Sequence, residues 1–206
     1  MLVAIGVFFA GLTIARADSG DGSGTDPTPT CQISGNDDQG DDGQGDDVQG
    51  DDVQGDDQGD DVAGSSSDDS LDGNGGDDQI DGNSGDDDIC GDEGNDQLSG
   101  GDGNDAIDGG TGADVEQGQA GDDDLQGDDG NDQLDGGSGD DQIDGGSGDD
   151  ELTGGDGQDT ISGGAGADKI FVAGHGRDKV NCGRGHDVVH ASSNDQVASN
   201  CEVVKS

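Results

Sequence analysis

Aspartates recur every nine residues through the middle of the chain, at Asp78, Asp87, Asp96, Asp105, Asp114, Asp123, Asp132, Asp141, Asp150, Asp159 and Asp168. Carboxylates on a strict period suit one chemistry above others. Calcium takes about six to eight hard oxygens, drawn from carboxylates and backbone carbonyls. Magnesium is the poorer fit, because it demands tight octahedral geometry and keeps its waters. General acid–base catalysis also fits poorly, since it needs two carboxylates in different environments, whereas a period gives each carboxylate the same surroundings.

The elements that must position these carboxylates are short. From Gly73 to Phe171 the chain divides without a gap into eleven nonads, among them GNSGDDDIC, GGSGDDQID and GGSGDDELT. One extra residue, Val172, follows, and then two looser units, AGHGRDKVN (173–181) and CGRGHDVVH (182–190). Position four is Gly and position six is Asp in all thirteen units. Position eight is Ile, Leu or Val in twelve, Glu116 being the exception. Glycines at positions one, two and four permit positive φ and close backbone approach, as a tight turn requires. Positions seven to nine then alternate outward, inward, outward, as a short strand does. Stacking would bury the column Ile80, Ile89, Leu98, Ile107, Leu125, Leu134, Ile143, Leu152, Ile161 and Ile170.

In this register the chain resembles the RTX calcium-binding nonapeptide family, whose unit is G-G-x-G-x-D-x-U-x with U apolar. The resemblance covers residues 73–190. It implies an all-β fold, a parallel β-roll in which each nonad makes a turn and a short strand and two nonads make one coil. It implies calcium as the cofactor. Turns on one side of such a roll repeat every second nonad, so the resemblance pairs Asp78 with Asp96, Asp87 with Asp105, and so on to Asp150 with Asp168. That makes up to about nine sites, each completed by loop carbonyls. Two departures bear on the array. Glu116 replaces the apolar residue, so either Val115 turns inward through a slip or bulge, or the column has a hole there. Gln119 and Asp128 replace the second glycine, and their turns are expected to be distorted, leaving the sites of Asp114 and Asp132 the least regular.

Composition narrows the function classes. The chain has 206 residues, with 52 Asp+Glu against 6 Lys+Arg, a net charge of −46 and 46 glycines. Trp and Tyr are absent, and Leu, Ile, Val and Phe together supply 32 residues. That share lies below the ~20 % under which a highly charged chain is expected to be disordered. An ordinary globular core and an aromatic-lined pocket are therefore not expected. Nucleic acid is excluded as a direct partner by charge repulsion, while cations are attracted. The thin apolar column does not repay the ordering of the chain, and stacked aspartates repel, so folding is expected to require the ion. No G-x-S-x-G, H-E-x-x-H, P-loop or EF-hand loop is present, and no enzyme activity is expected. His175 and His186 occupy variable turn positions and read as solvated.

Four segments are expected. Residues 1–17 read as a secretory signal peptide, an apolar run closed by Ala15-Arg16-Ala17, with no further membrane span in the mature chain. Residues 18–70 read as a disordered acidic arm, because units such as GDDVQ hold few apolar side chains. Residues 71–171 form the β-roll. Residues 172–206 form looser repeats and a terminal cap, which resembles the ending of secreted bacterial proteins of the family. That resemblance favours a Cys182–Cys201 disulfide, in keeping with export; four cysteines allow three pairings, and Cys31–Cys90 would complete this one. The whole reads as a secreted calcium-binding structural or surface module whose extracellular partner the sequence does not name. The alternatives are a remnant or accessory piece of an exported toxin or hydrolase, and an acidic mineral-binding protein.

Overall fold

The computed structural model describes residues 47–49, 52–55, 58–172, 176–201 and 203–205. All regular elements among them are β-strands, most of them stacked into a ten-stranded and a nine-stranded parallel sheet, with four short ones forming two further two-stranded parallel pairs. Successive nonads feed the two sheets in turn. Gln79–Ser84 lies in the larger sheet, Asp88–Cys90 in the smaller, and Gln97–Asp102 in the larger again. Each strand therefore pairs with the one two nonads on, Ile80 opposite Leu98 and Ile89 opposite Ile107. The result is a parallel β-roll.

The core is one side-chain layer from each sheet. Position eight is buried throughout, from Leu71 and Ile80 to Ile161 and Ile170, while its flanking positions are exposed or half-buried along most strands. Burying each such side chain contributes about 1.5–3 kcal/mol. Backbone ladders lock the stack: the Gly73 N–H donates to the Cys90 carbonyl at 2.9 Å, and the Gln97 N–H to the Asp78 carbonyl at 2.8 Å. At position four the coils nearly touch. A Cβ on Gly112, whose φ is 153°, would overlap the carbonyl oxygen of Gly94.

Three expectations are corrected. First, the roll starts before residue 71. Strands Asp52–Gln54, Asp61–Ala63 and Ser70–Asp72 join the sheets, with Val53 opposite Leu71, Val62 opposite Ile80 and Leu71 opposite Ile89. The few apolar residues of this stretch are enough, because a preformed column receives them. Second, Val115 does not turn inward. Glu116 keeps register between Leu98 and Leu134 and is fully buried in the column. Third, the turns at Gln119 and Asp128 are regular. Both adopt left-handed backbone (φ 74° and 58°), as do Asn74, Asn83 and Asp92 at the same position of other units. Gln119 stays in register with Gly101 and Gly137.

At the C-terminal end Cys182 and Cys201 form a disulfide, with Cα atoms 5.2 Å apart. Val172 lengthens its strand, pairs with Ala191 and is buried. Strands Gln196–Val197 and Val203–Lys205 continue the two sheets, so this end carries on the roll. Among the described residues no helix is long and apolar enough to cross a membrane. The expected signal peptide, the arm up to residue 46, Cys31 and His175 lie outside the described residues.

Candidate metal centre

Each nonad ends its turn with the position-six aspartate just before the strand begins, so the sheet pairing stacks these residues in two columns. Within a column each backbone N–H donates to Oδ1 of the aspartate one coil on. The bond is 2.8 Å from Asp78 to Asp96 and from Asp96 to Asp114, and 2.9 Å from Asp114 to Asp132. It is 3.0 Å from Asp132 to Asp150 and 3.1 Å from Asp150 to Asp168. In the other column Asp87, Asp105, Asp123, Asp141 and Asp159 are linked in the same way. The structure thus sets each of the aspartates paired by sequence next to its partner.

The columns run further than the sequence reading took them. Asp60 and Asp69 donate to Asp78 and Asp87, and Asp159, Asp168 and Asp178 donate to Asp178, Asp187 and Asp195. The signal for the missed residues is the pair Asp-x-apolar, which continues through Asp60-x-Val62, Asp69-x-Leu71 and Asp195-x-Val197. Requiring Gly at position four hid the first two, because Gln58 and Ser67 stand there.

The second carboxylate oxygen behaves differently from the first. From Asp87 to Asp168, Oδ2 is buried and accepts no hydrogen bond. It lies against the position-one glycine of its own unit. A Cβ on Gly91 would sit 2.5 Å from Asp96 Oδ2 and 2.6 Å from the carbonyl oxygen of Gly109. A Cβ on Gly145 would sit 2.6 Å from Asp150 Oδ2 and 2.9 Å from the carbonyl oxygen of Gly163. Carboxylate and carbonyl oxygens from adjacent coils therefore converge where glycine leaves room, with no donor between them. This is a hard-oxygen set short of positive charge, and it fits calcium. Among the described residues no three Asp, Glu, His or Cys side chains are gathered as a metal cluster, and the backbone carbonyls beside Oδ2 are the oxygens that would add to a ligand set.

Electrostatics point the same way. Burial pushes the carboxyls of Asp96, Asp132 and Asp168 up to about 7, against the lowering effect of the backbone N–H each accepts, and column neighbours push further. Asp105, Asp114, Asp123, Asp141, Asp150 and Asp159 are raised to about 6, again chiefly by burial. The exposed position-five ladder provides a contrast. Asp77 Oδ1 accepts from the Asn95 backbone at 2.9 Å and its side chain at 2.8 Å, which lowers that carboxyl. These outer carboxylates are satisfied by protein donors, and the inner Oδ2 atoms are not.

The repeats match the RTX calcium-binding nonapeptide repeat family over residues 54–89, 81–116, 117–152, 144–174 and 153–189. The chain belongs to this family. RTX repeats bind calcium in a β-roll, and the match begins at residue 54, within the stretch where the sheets extend past the regular nonads. No curated protein matches the chain. The inner oxygens described above would hold the ion of an RTX roll, and calcium bound there would supply the positive charge that they lack, at a coil spacing the chain itself fixes. Of the described histidines, His186 is exposed in its turn, and the ring of His190 stacks on Phe171 at 5.0 Å.

Proposed function

We propose that this chain is a secreted, non-catalytic RTX module that folds as calcium enters its turns. Asp78, Asp87, Asp96, Asp105, Asp114, Asp123, Asp132, Asp141, Asp150, Asp159 and Asp168 supply carboxylate ligands, and Asp60, Asp69, Asp178 and Asp187 extend the set toward the ends of the roll. The observation that carries this reading is the row of buried, unpartnered Oδ2 atoms beside position-one glycines. A buried carboxylate oxygen without a donor is costly, and a column of them disfavours the roll until a cation arrives. Folding and binding are then one event. Export is supported by the leader-like segment 1–17 and by the oxidised cysteine pair at the C-terminal end.

The test is far-UV circular dichroism of the full chain during a calcium titration, with magnesium in parallel. Calcium alone should produce a cooperative rise in β signal, because each site needs two neighbouring coils. A coil spectrum at millimolar calcium would refute the reading. Sequencing the N-terminus of the exported protein tests the leader, with cleavage after Ala17 as the expected result.

A further inference from the structure

One residue in the column fits neither the apolar core nor the repeat of the family. Glu116 stands at position eight of unit 109–117, where twelve of thirteen units carry Ile, Leu or Val. It is 0 % exposed, and neither Oε1 nor Oε2 has a hydrogen-bond partner. Its side chain reaches back toward its own turn. A Cβ on Gly109 would sit 2.6 Å from Glu116 Oε1 and 3.0 Å from Asp114 Oδ2. At the matching glycine one coil earlier, Gly91, the two nearest atoms are one aspartate oxygen and one backbone carbonyl oxygen. The Asp114 turn therefore presents a second carboxylate at the point where other turns present one.

Two buried carboxylate oxygens that face one point and lack donors call for a cation between them. An apolar residue of similar size fills this place in the other units, so packing does not require the acid. Affinity at oxygen-ligand calcium sites rises with the number of charged ligands. We propose that Glu116 is an additional carboxylate ligand for the calcium held at Asp114, making this turn the tightest site of the array. The inference rests on the calcium-binding reading above. Glu116 and Asp114 bring two carboxylates to this point, and loop carbonyls would supply the remaining oxygens.

The experiment is calcium competition against a chromophoric chelator, run on the full-length chain and on Glu116→Gln and Glu116→Leu. The wild type should hold one ion at least tenfold more tightly than the rest. Both variants should lose that tight ion and keep the weaker class unchanged. Glu116→Leu restores the apolar column, so its fold survives in calcium and the loss cannot be ascribed to unfolding. A purely structural role predicts the reverse, a stabilised Leu variant with unaltered binding, and that result would overturn the proposal. So would a single uniform class in the wild type. Absence of any calcium uptake by the wild type would overturn the calcium reading itself, and the role of Glu116 with it.

Discussion

Gly112 and Asp114 lie two residues apart in one turn and answer to different demands. Gly112 has φ 153° and no room for a Cβ beside the Gly94 carbonyl. Gly112→Ala should destabilise the calcium-loaded roll by at least the ~1–3 kcal/mol that such glycine-only backbone carries, read as a fall in melting temperature. Gly110→Asn in the same turn should do less harm, because Asn74 and Asn83 already take left-handed backbone at that position. Asp114 and its column neighbours answer to charge. Their folded carboxyls lie at about 6 to 7, above the ordinary value of 3.8, because burial disfavours the ionised form. A raised carboxyl contributes stability to the protonated roll that is lost as pH rises from about 4 through the folded value. The calcium-free chain should therefore gain β signal as pH falls from 8 to 4 in the presence of a chelator. Over the same range the calcium midpoint should rise, because protons and calcium compete for the same oxygens. A chelated chain that stays coil at pH 4 would count against burial as the source of the shifts.

At the scale of strand and turn, the sequence was legible where one side chain decides the outcome. Position eight faces inward because strand residues alternate, and each predicted member of the column from Ile80 to Ile170 is buried. Leu134→Ala, in the middle of that column, should cost about 2–5 kcal/mol, measured by thermal unfolding in calcium. What escaped the sequence reading was set by neighbouring coils. Asp60 and Asp69 sit in units without glycine at position four, yet they dock on Asp78 and Asp87 through their backbone N–H groups. Their nonads look like arm sequence until a finished coil lies beside them. Glu116 kept register for a similar reason. Its strand, Val115–Ala120, is held on both sides by Gln97–Asp102 and Gln133–Ser138, so a slip would break two ladders to spare one buried acid. The C-terminal coils have a different support. The Cys182–Cys201 disulfide closes a segment with a sequence separation of 19, worth about 3 kcal/mol by loop-closure entropy. Replacing both cysteines with serine should lower the melting temperature of the last coils. It should leave calcium bound at the central aspartates, which ion counting by native mass spectrometry checks.

For the whole molecule the net charge of −46 invites a simpler account, in which calcium merely screens repulsion between coils. The two kinds of carboxylate separate these accounts. Outer aspartates such as Asp77 are exposed and bonded to protein donors, so mobile salt can screen them. Inner oxygens such as Asp96 Oδ2 are buried and lack donors, so on the proposed reading only an ion held at the site would serve them. In molar sodium chloride the screening length shrinks to about 3 Å, which removes most repulsion among exposed charges and supplies nothing to the buried ones. The chain in molar sodium chloride without calcium should therefore remain largely coil by far-UV circular dichroism, and added calcium should still fold it cooperatively. Salt should shift the calcium midpoint without replacing the ion. Folding by sodium chloride alone would mean that long-range repulsion, rather than the unpartnered inner oxygens, holds the calcium-free chain open.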